Sequence, residues 1–116
     1  MQYMLLIHTG GDSDEFEKLS QDEQNAIFGE YMAVGQSPGV VGGNQLQPAS
    51  TATTVRVEDG RTLTTDGPFA ETKEELGGYF VFEADDLDAA IELASRIPAA
   101  RMGGAVEVRP IVERQS

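Results

Sequence analysis

Hydrophobic and polar positions follow two different periods along the chain, and these periods predict strands and helices. Residues 2–8 are almost continuously apolar, which predicts a strand that is covered on both faces. Residues 105–109 alternate between apolar and polar side chains, as in a half-buried strand. Residues 40–46 and 79–83 also have strand character. The pattern therefore predicts a sheet in which both faces of the first strand are covered by other parts of the protein.

The first helix is predicted by a start signal and by the spacing of its apolar residues. Ser20 and Glu23 form a capping box, in which the serine hydroxyl accepts a hydrogen bond from an early helical N–H. Behind it, Ile27, Tyr31 and Val34 recur at intervals of four and three residues. This spacing puts the three side chains on one helix face, which we expect to lie against the sheet.

A second helix follows the strand at residues 79–83. Asp85 or Asp86 caps its start, and Pro98 lies beyond its end because proline cannot continue a helix. Its predicted inner face consists of Leu87, Ala90, Ile91 and Ala94.

Between the two halves of the chain, residues 53–57 and 61–65 flank Glu58-Asp59-Gly60, a signal for a β-hairpin. Two registers are open. A two-residue loop places Glu58 opposite Arg61, whereas a three-residue loop places Val55 opposite Leu63.

The resulting order is strand, helix, strand, hairpin, strand, helix, strand. Two β-α-β halves of similar size predict one ferredoxin-like α+β domain over residues 1–116, with an antiparallel sheet and helices on one face. Two helices cover only one face of such a sheet, yet the first strand is apolar on both sides. A second copy of the chain would cover the other face, so we expect a homodimer.

Composition and charge limit the kinds of partner and site that the protein can have. The 116 residues suffice for one domain, and twenty acidic against eight basic residues make a formal net charge of −12. This surface repels phosphate backbones and has no lysine or arginine cluster, which excludes nucleic acid as a direct partner. The absence of cysteine excludes disulfide scaffolds and thiolate zinc sites. We expect a cytoplasmic protein with no membrane contact, no metal and no cofactor.

The densest group of charges lies in residues 64–80, TTDGPFAETKEELGGYF. Asp66-Gly67-Pro68 predicts a rigid turn, in which aspartate often bonds its own backbone. Phe69 and Lys73 follow this turn, and rigid loops that carry charge and one aromatic often hold binding groups. We therefore expect the turn to present these side chains to a cleft, with a structural or dimer-contact role as the alternative.

Six stretches that together span nearly the whole chain match one known family: residues 1–8, 46–48, 51–56, 65–73, 77–79 and 106–110. On these residues the chain resembles the YCII-related family, and within it the branch named for the Asp-Gly-Pro-Phe motif. The resemblance implies a dimeric ferredoxin-like α/β-barrel fold. The wider fold includes enzymes that act on lactones, and this branch is often encoded beside sigma factors of the extracytoplasmic-function type.

Members of the wider family are described with a His–Asp pair in a cleft, the histidine lying on the first helix. Here the first predicted helix, residues 21–34, contains no histidine, and Asn25 stands at about that place. An amide is not a general base near neutral pH, so the pair described for the family is incomplete in this chain.

The candidate site is built around His8, the one histidine, at the end of the first strand. Its functional interpretation is an acid–base group paired with Asp66, and the alternative is a strand-end histidine bonded to a backbone carbonyl. Tyr31, Phe69 and Lys73 are the predicted ligand-binding residues. One hypothesis is a small-molecule-binding dimer in which His8 transfers protons on an oxygenated or lactone-like substrate. The other is a non-catalytic dimer that binds a protein partner in sigma-factor regulation. The sequence leaves open whether the protein is an enzyme.

Overall fold

The computed structural model describes residues 1–10, 16–70 and 74–114. Its elements along the chain are β1 (Gln2–Thr9), α1 (Gln21–Gly35), β2 (Val40–Gln45), β3 (Thr53–Glu58), β4 (Arg61–Asp66), β5 (Glu75–Glu83), α2 (Leu87–Ser95) and β6 (Ala105–Pro110), with 3-10 helices at Ala49–Thr51 and Pro98–Arg101. Within the described residues, no helix is long and apolar enough to cross a membrane.

Four strands form one antiparallel sheet in the order β2-β5-β1-β6, and β3 pairs with β4 in a separate two-stranded sheet. When the β3–β4 hairpin is set aside, this order is that of a ferredoxin-like α+β domain. The predicted fold class is therefore confirmed.

The central strand β1 separates two faces of the sheet. Tyr3, Leu5 and Ile7 are buried, and they lie in the core cluster with residues of both helices. The residues between them are half-buried and point to the side that carries no helix. We call this side the open face; its side chains are Met4, Leu6 and His8 of β1, Leu76, Tyr79 and Val81 of β5, and Glu107 and Arg109 of β6.

The first helix has the predicted start and inner face. The Glu23 N–H donates to Ser20 Oγ at 3.1 Å, so Ser20 caps α1. Val34 is buried, and Ile27 and Tyr31 are half-buried beside it.

The second helix is capped by Asp86, because the Ala89 N–H donates to Asp86 Oδ1 at 2.9 Å. Its predicted inner face is wrong in part. Leu87 and Ile91 are exposed, and the buried positions are Ala90, Leu93, Ala94 and, beyond the helix, Ile97. Apolar residues extend around more than half of this short helix. The helix therefore turns Ala90, Leu93 and Ala94 toward the sheet.

The hairpin adopts the two-residue loop, with Glu58 opposite Arg61. Asp59 and Gly60 have φ values of 50° and 76°. Positive φ at both loop residues is typical of the type I′ turn, whose twist matches that of the flanking strands. Arg56 consequently lies opposite Leu63, and Val57 opposite Thr62.

Strand β5 begins at Glu75, four residues before the predicted strand at 79–83. Gly77 is an extra residue between the pairs Ile7–Gly78 and His8–Leu76, so β5 has a bulge beside His8. Glycine is needed at position 78, because a Cβ there would lie 2.9 Å from the Asn44 carbonyl oxygen of β2.

Candidate functional site

His8 lies on the open face near the end of β1, where its side chain is about one-third exposed. Its Nε2 is 3.5 Å from Oε1 of Glu107. This is an ion-pair distance when the imidazole is protonated. Glu107 lies opposite Leu6 in the neighbouring strand β6, so it reaches His8 along the diagonal of the same face.

The backbone on both sides of His8 is held closely. On the β6 side, a Cβ built on Gly104 would lie 2.2 Å from the His8 carbonyl oxygen, so only glycine fits. On the β5 side lies the bulge at Gly77. Bulges are common next to active sites, where they direct a side chain.

Asp66 ends β4 opposite Thr53, and the turn after it is well fixed. Gly67 has a φ of 103°, and its N–H donates to the Ala52 carbonyl at 2.7 Å. The Thr54 hydroxyl donates to the Gly67 carbonyl at 2.8 Å. Among the described residues, the carboxylate within ion-pair distance of His8 belongs to Glu107, so one chain by itself does not bring Asp66 to His8.

Phe69 projects from the loop that follows the turn Asp66-Gly67-Pro68, and 74% of its surface is exposed. The guanidinium carbon of Arg56 lies 4.9 Å from the centre of its ring, a cation–π contact that ties the loop to the hairpin. The loop leads into β5 at Glu75, which lies opposite Thr9, so it reaches the end of the sheet that carries His8. Lys73, the third predicted ligand-binding residue, lies outside the described residues.

Tyr31 lies in the helix layer, on the other side of the sheet from His8. Burial raises the pKa of its hydroxyl, and the Ala99 N–H and Arg101 oppose this shift. The same layer contains a groove of about 410 Å³ lined by Glu30, Ala33, Val34, Ser95, Arg96 and Arg101. Within one chain, Tyr31 and His8 therefore do not share a cleft.

The raised pKa of Tyr31 predicts a loss of stability at high pH. The folded state holds this proton more tightly than the unfolded chain, whose tyrosines have a pKa of about 10. Stability is thus complete below about pH 10 and falls as the pH rises further. Urea unfolding between about pH 9 and pH 11.5 should show a smaller fall for Tyr31→Phe than for the wild type. Tyr79→Phe, on the open face, is the matched control, and an equal fall in all three proteins would contradict the assignment.

Glu107 was not among the predicted site residues. Its alternating strand, residues 105–109, puts it on the polar side of β6, but only the strand order shows that this side faces His8. Within the described parts of the chain, no group of three or more His, Asp or Glu residues is placed to hold a metal ion.

The profile of the YCII-related domain matches residues 1–115. The chain belongs to the YCII-related family. This match confirms the YCII-related family predicted from the sequence. A relative from Rhizobium meliloti (strain 1021) is 35% identical over 99 residues, which cover 84% of this chain and 77% of that protein. That relative is named as an uncharacterized protein.

The first helix carries Asn25 at about the place of the histidine that the resemblance implied. Asn25 is exposed on α1, where its Oδ1 accepts a hydrogen bond from Gln21 Nε2 at 3.0 Å. Its side chain is thus engaged on the helix surface. In this member, the acid–base candidate is His8 on the sheet.

Proposed function

We propose that this YCII-related protein binds a small oxygenated molecule on its open face and that His8 is the proton-transfer group. The observation that carries the proposal is the contact between His8 and Glu107 on a sheet face that combines apolar and polar side chains. A carboxylate beside an imidazole orients the ring, and a histidine acid–base catalyst needs a ring held in a fixed orientation toward its substrate.

The side chains around His8 favour an oxygenated ligand. Asn44 Nδ2 donates to the Tyr79 hydroxyl at 3.2 Å, so the hydroxyl proton of Tyr79 is available to a ligand oxygen. Arg109 lies on the same face and supplies a positive charge. Leu6 and Leu76 provide apolar walls. A carboxylate-bearing lactone or hydroxy acid suits this combination, and Lys73 remains a predicted second cation.

The proposal includes a homodimer that closes the open face. Met4, Leu6 and Val81 form an apolar strip across the centre of this face. No element among the described residues covers the strip, because the helices lie on the other side. A second open face packed on the first would remove the strip from water and enclose His8.

A binding experiment with matched variants tests the site. Saturation-transfer NMR with a series of carboxylate-bearing γ-lactones and hydroxy acids would identify binders. We expect His8→Gln and Glu107→Gln to weaken binding at least about tenfold, with little change in the free energy of unfolding, because both groups are partly exposed. Glu92→Gln, an exposed carboxylate on α2, is the control and should bind like the wild type. Equal binding by all four proteins would remove His8 from the site.

A further inference from the structure

The β3–β4 hairpin (residues 53–66, hereafter the arm) lacks the apolar cover that such a unit needs. Its strands pair with each other and contact the rest of the described chain only slightly. Val57 is 67% and Leu63 43% exposed. Isolated two-stranded hairpins are marginally stable in water, so the arm requires a surface to pack on.

The shape of the chain shows that the arm does not fold back over the sheet. The radius of gyration is 16.3 Å, against about 13 Å for a compact domain of this length. The extents are 48 × 45 × 18 Å. One sheet and one helix layer are together about 20 Å thick, which is close to the shortest extent of the chain. The arm therefore projects sideways from these two layers and not above or below them. The arm therefore does not cover the open face of its own chain.

The two faces of the arm differ in charge. Side chains alternate along a strand, so the face with Arg56 and Leu63 also carries Arg61 and Glu58. Two arginines against one carboxylate make this face positive in a chain whose net charge is −12. The other face carries Val55 and Val57 with threonines and Asp66. We call the face with Arg56 and Leu63 the arginine face, and the face with Val55 and Val57 the valine face.

We propose that, in the dimer, the arginine face of each arm packs on the body of the other protomer. It brings Arg56 and Phe69 of one chain to the open face of the other, where His8 and Glu107 lie. Arg56 then meets the exposed carboxylate of Glu107, and Phe69 supplies an aromatic wall of the ligand site. The inference rests on the proposed closure of the open face by a second copy.

The interface area supports a second copy as the occupant. Four strands spaced by about 4.8 Å, with about six residues each, make a face of roughly 400 Å². Stable dimers bury about 800 Å² per partner, so the sheet alone supplies about half. Each arm has roughly 200 Å² of surface on one side. Because every contact of a two-fold dimer occurs twice, each protomer also buries one side of its own arm, while the area under its partner's arm already belongs to the open face. The total is then roughly 600 Å² per partner, at the lower end of the range for stable interfaces.

Charge supports the same occupant. The arm holds two arginines and three carboxylates, a net charge of −1, so the remaining residues carry −11. Two such bodies repel one another when they approach directly. The arginine face is a local positive surface, and its attraction to the acidic body of a second copy offsets part of this repulsion.

Matched substitutions on the two faces of the arm test the proposal. Leu63→Thr removes apolar contact from the arginine face, and Val57→Thr makes an isosteric change on the valine face. We expect Leu63→Thr to raise the dimer dissociation constant at least about tenfold, because the lost contact occurs twice. Val57→Thr should change it less than about threefold. Sedimentation equilibrium measures both values.

An intermolecular NMR measurement locates the arm directly. Since the chain has no cysteine, Thr62→Cys provides one attachment point for a spin label. The labelled protein at natural abundance is mixed with ¹⁵N-labelled wild type, so any broadening comes from the other protomer. We expect broadening at the amides of His8 and Glu107, and none there from a label at Glu92→Cys on α2.

The outcomes separate the arm from the dimer. If the protein is a dimer but the label causes no broadening at His8 or Glu107, and if Leu63→Thr dimerises as tightly as the wild type, the arm proposal is wrong. Closure of the open face by a second copy would still stand. The arm would then be a surface for a different protein. A stronger effect of Val57→Thr than of Leu63→Thr overturns the choice of face. A wild type that is monomeric at millimolar concentration overturns both the arm proposal and the proposed dimer, whereas ligand binding at His8 is judged by its own experiment.

Discussion

Replacing Gly104 with alanine is expected to lower the free energy of unfolding by at least about 2–3 kcal/mol. The new Cβ would lie 2.2 Å from the His8 carbonyl oxygen and 3.1 Å from that of Ala99. Both atoms belong to backbone that is held by neighbouring structure, so neither moves aside easily. Urea unfolding monitored by circular dichroism measures the difference.

Gly29→Ala is the matched control for this substitution. Gly29 is exposed in α1, and a Cβ there meets no atom within 4 Å. Because glycine is a poor helix former, this variant should gain about 0.5–1 kcal/mol. If Gly104→Ala unfolds at the same urea concentration as the wild type, β6 does not approach His8 as closely as described.

Gly104→Ala should also disturb the site. The strain falls on the backbone of His8, and the contact of its imidazole with Glu107 depends on the register between β1 and β6. We therefore expect the His8 amide and ring signals to shift more in this variant than in Gly29→Ala. In contrast to the glycines at turns, Gly104 thus connects the stability of the fold to the position of the proposed acid–base group.

The second large effect is expected at the centre of the open face. Leu6 lies between Tyr79 of β5 and Glu107 of β6. Leu6→Lys would place a charge in the middle of the proposed interface, and two-fold symmetry would place it there twice. At about 2 kcal/mol for each copy, the dissociation constant of the dimer should rise by about a thousandfold.

Ile91→Lys is the control for the open face. Ile91 is an exposed apolar residue of α2, in the helix layer, and its substitution should leave the dimer unchanged. Light scattering after size-exclusion chromatography distinguishes the two variants. If Leu6→Lys remains as firmly dimeric as the wild type, the open face is not the interface, and the proposed enclosure of His8 loses its basis.

Much of the fold follows from short stretches of sequence. Ser20 caps the first helix, Asp86 the second, and Asp59-Gly60 makes the hairpin turn. Such signals depend on residues within a few positions of one another, so they can be interpreted without knowledge of the fold. The order of elements was sufficient to predict a ferredoxin-like domain, because few topologies connect two β-α-β halves.

The site was predicted less completely. His8 was identified because it is the one histidine. Its expected partner was Asp66, but the carboxylate beside His8 is that of Glu107. Glu107 is about one hundred positions away along the chain. Only the pairing of β1 with β6 brings the two side chains together, and no local pattern specifies that pairing.

Secondary structure, turn geometry and the apolar character of both faces of β1 were encoded locally, in residues that act on their near neighbours. Strand order, the register beside His8, the rotation of α2 and the separation of Tyr31 from His8 arose from packing. The physical reason is the distance along the chain between the groups that interact. A cap or a turn is stabilised by groups a few residues apart, whereas a site joins groups from distant segments that meet when the whole sheet and its helices bury their apolar surface together.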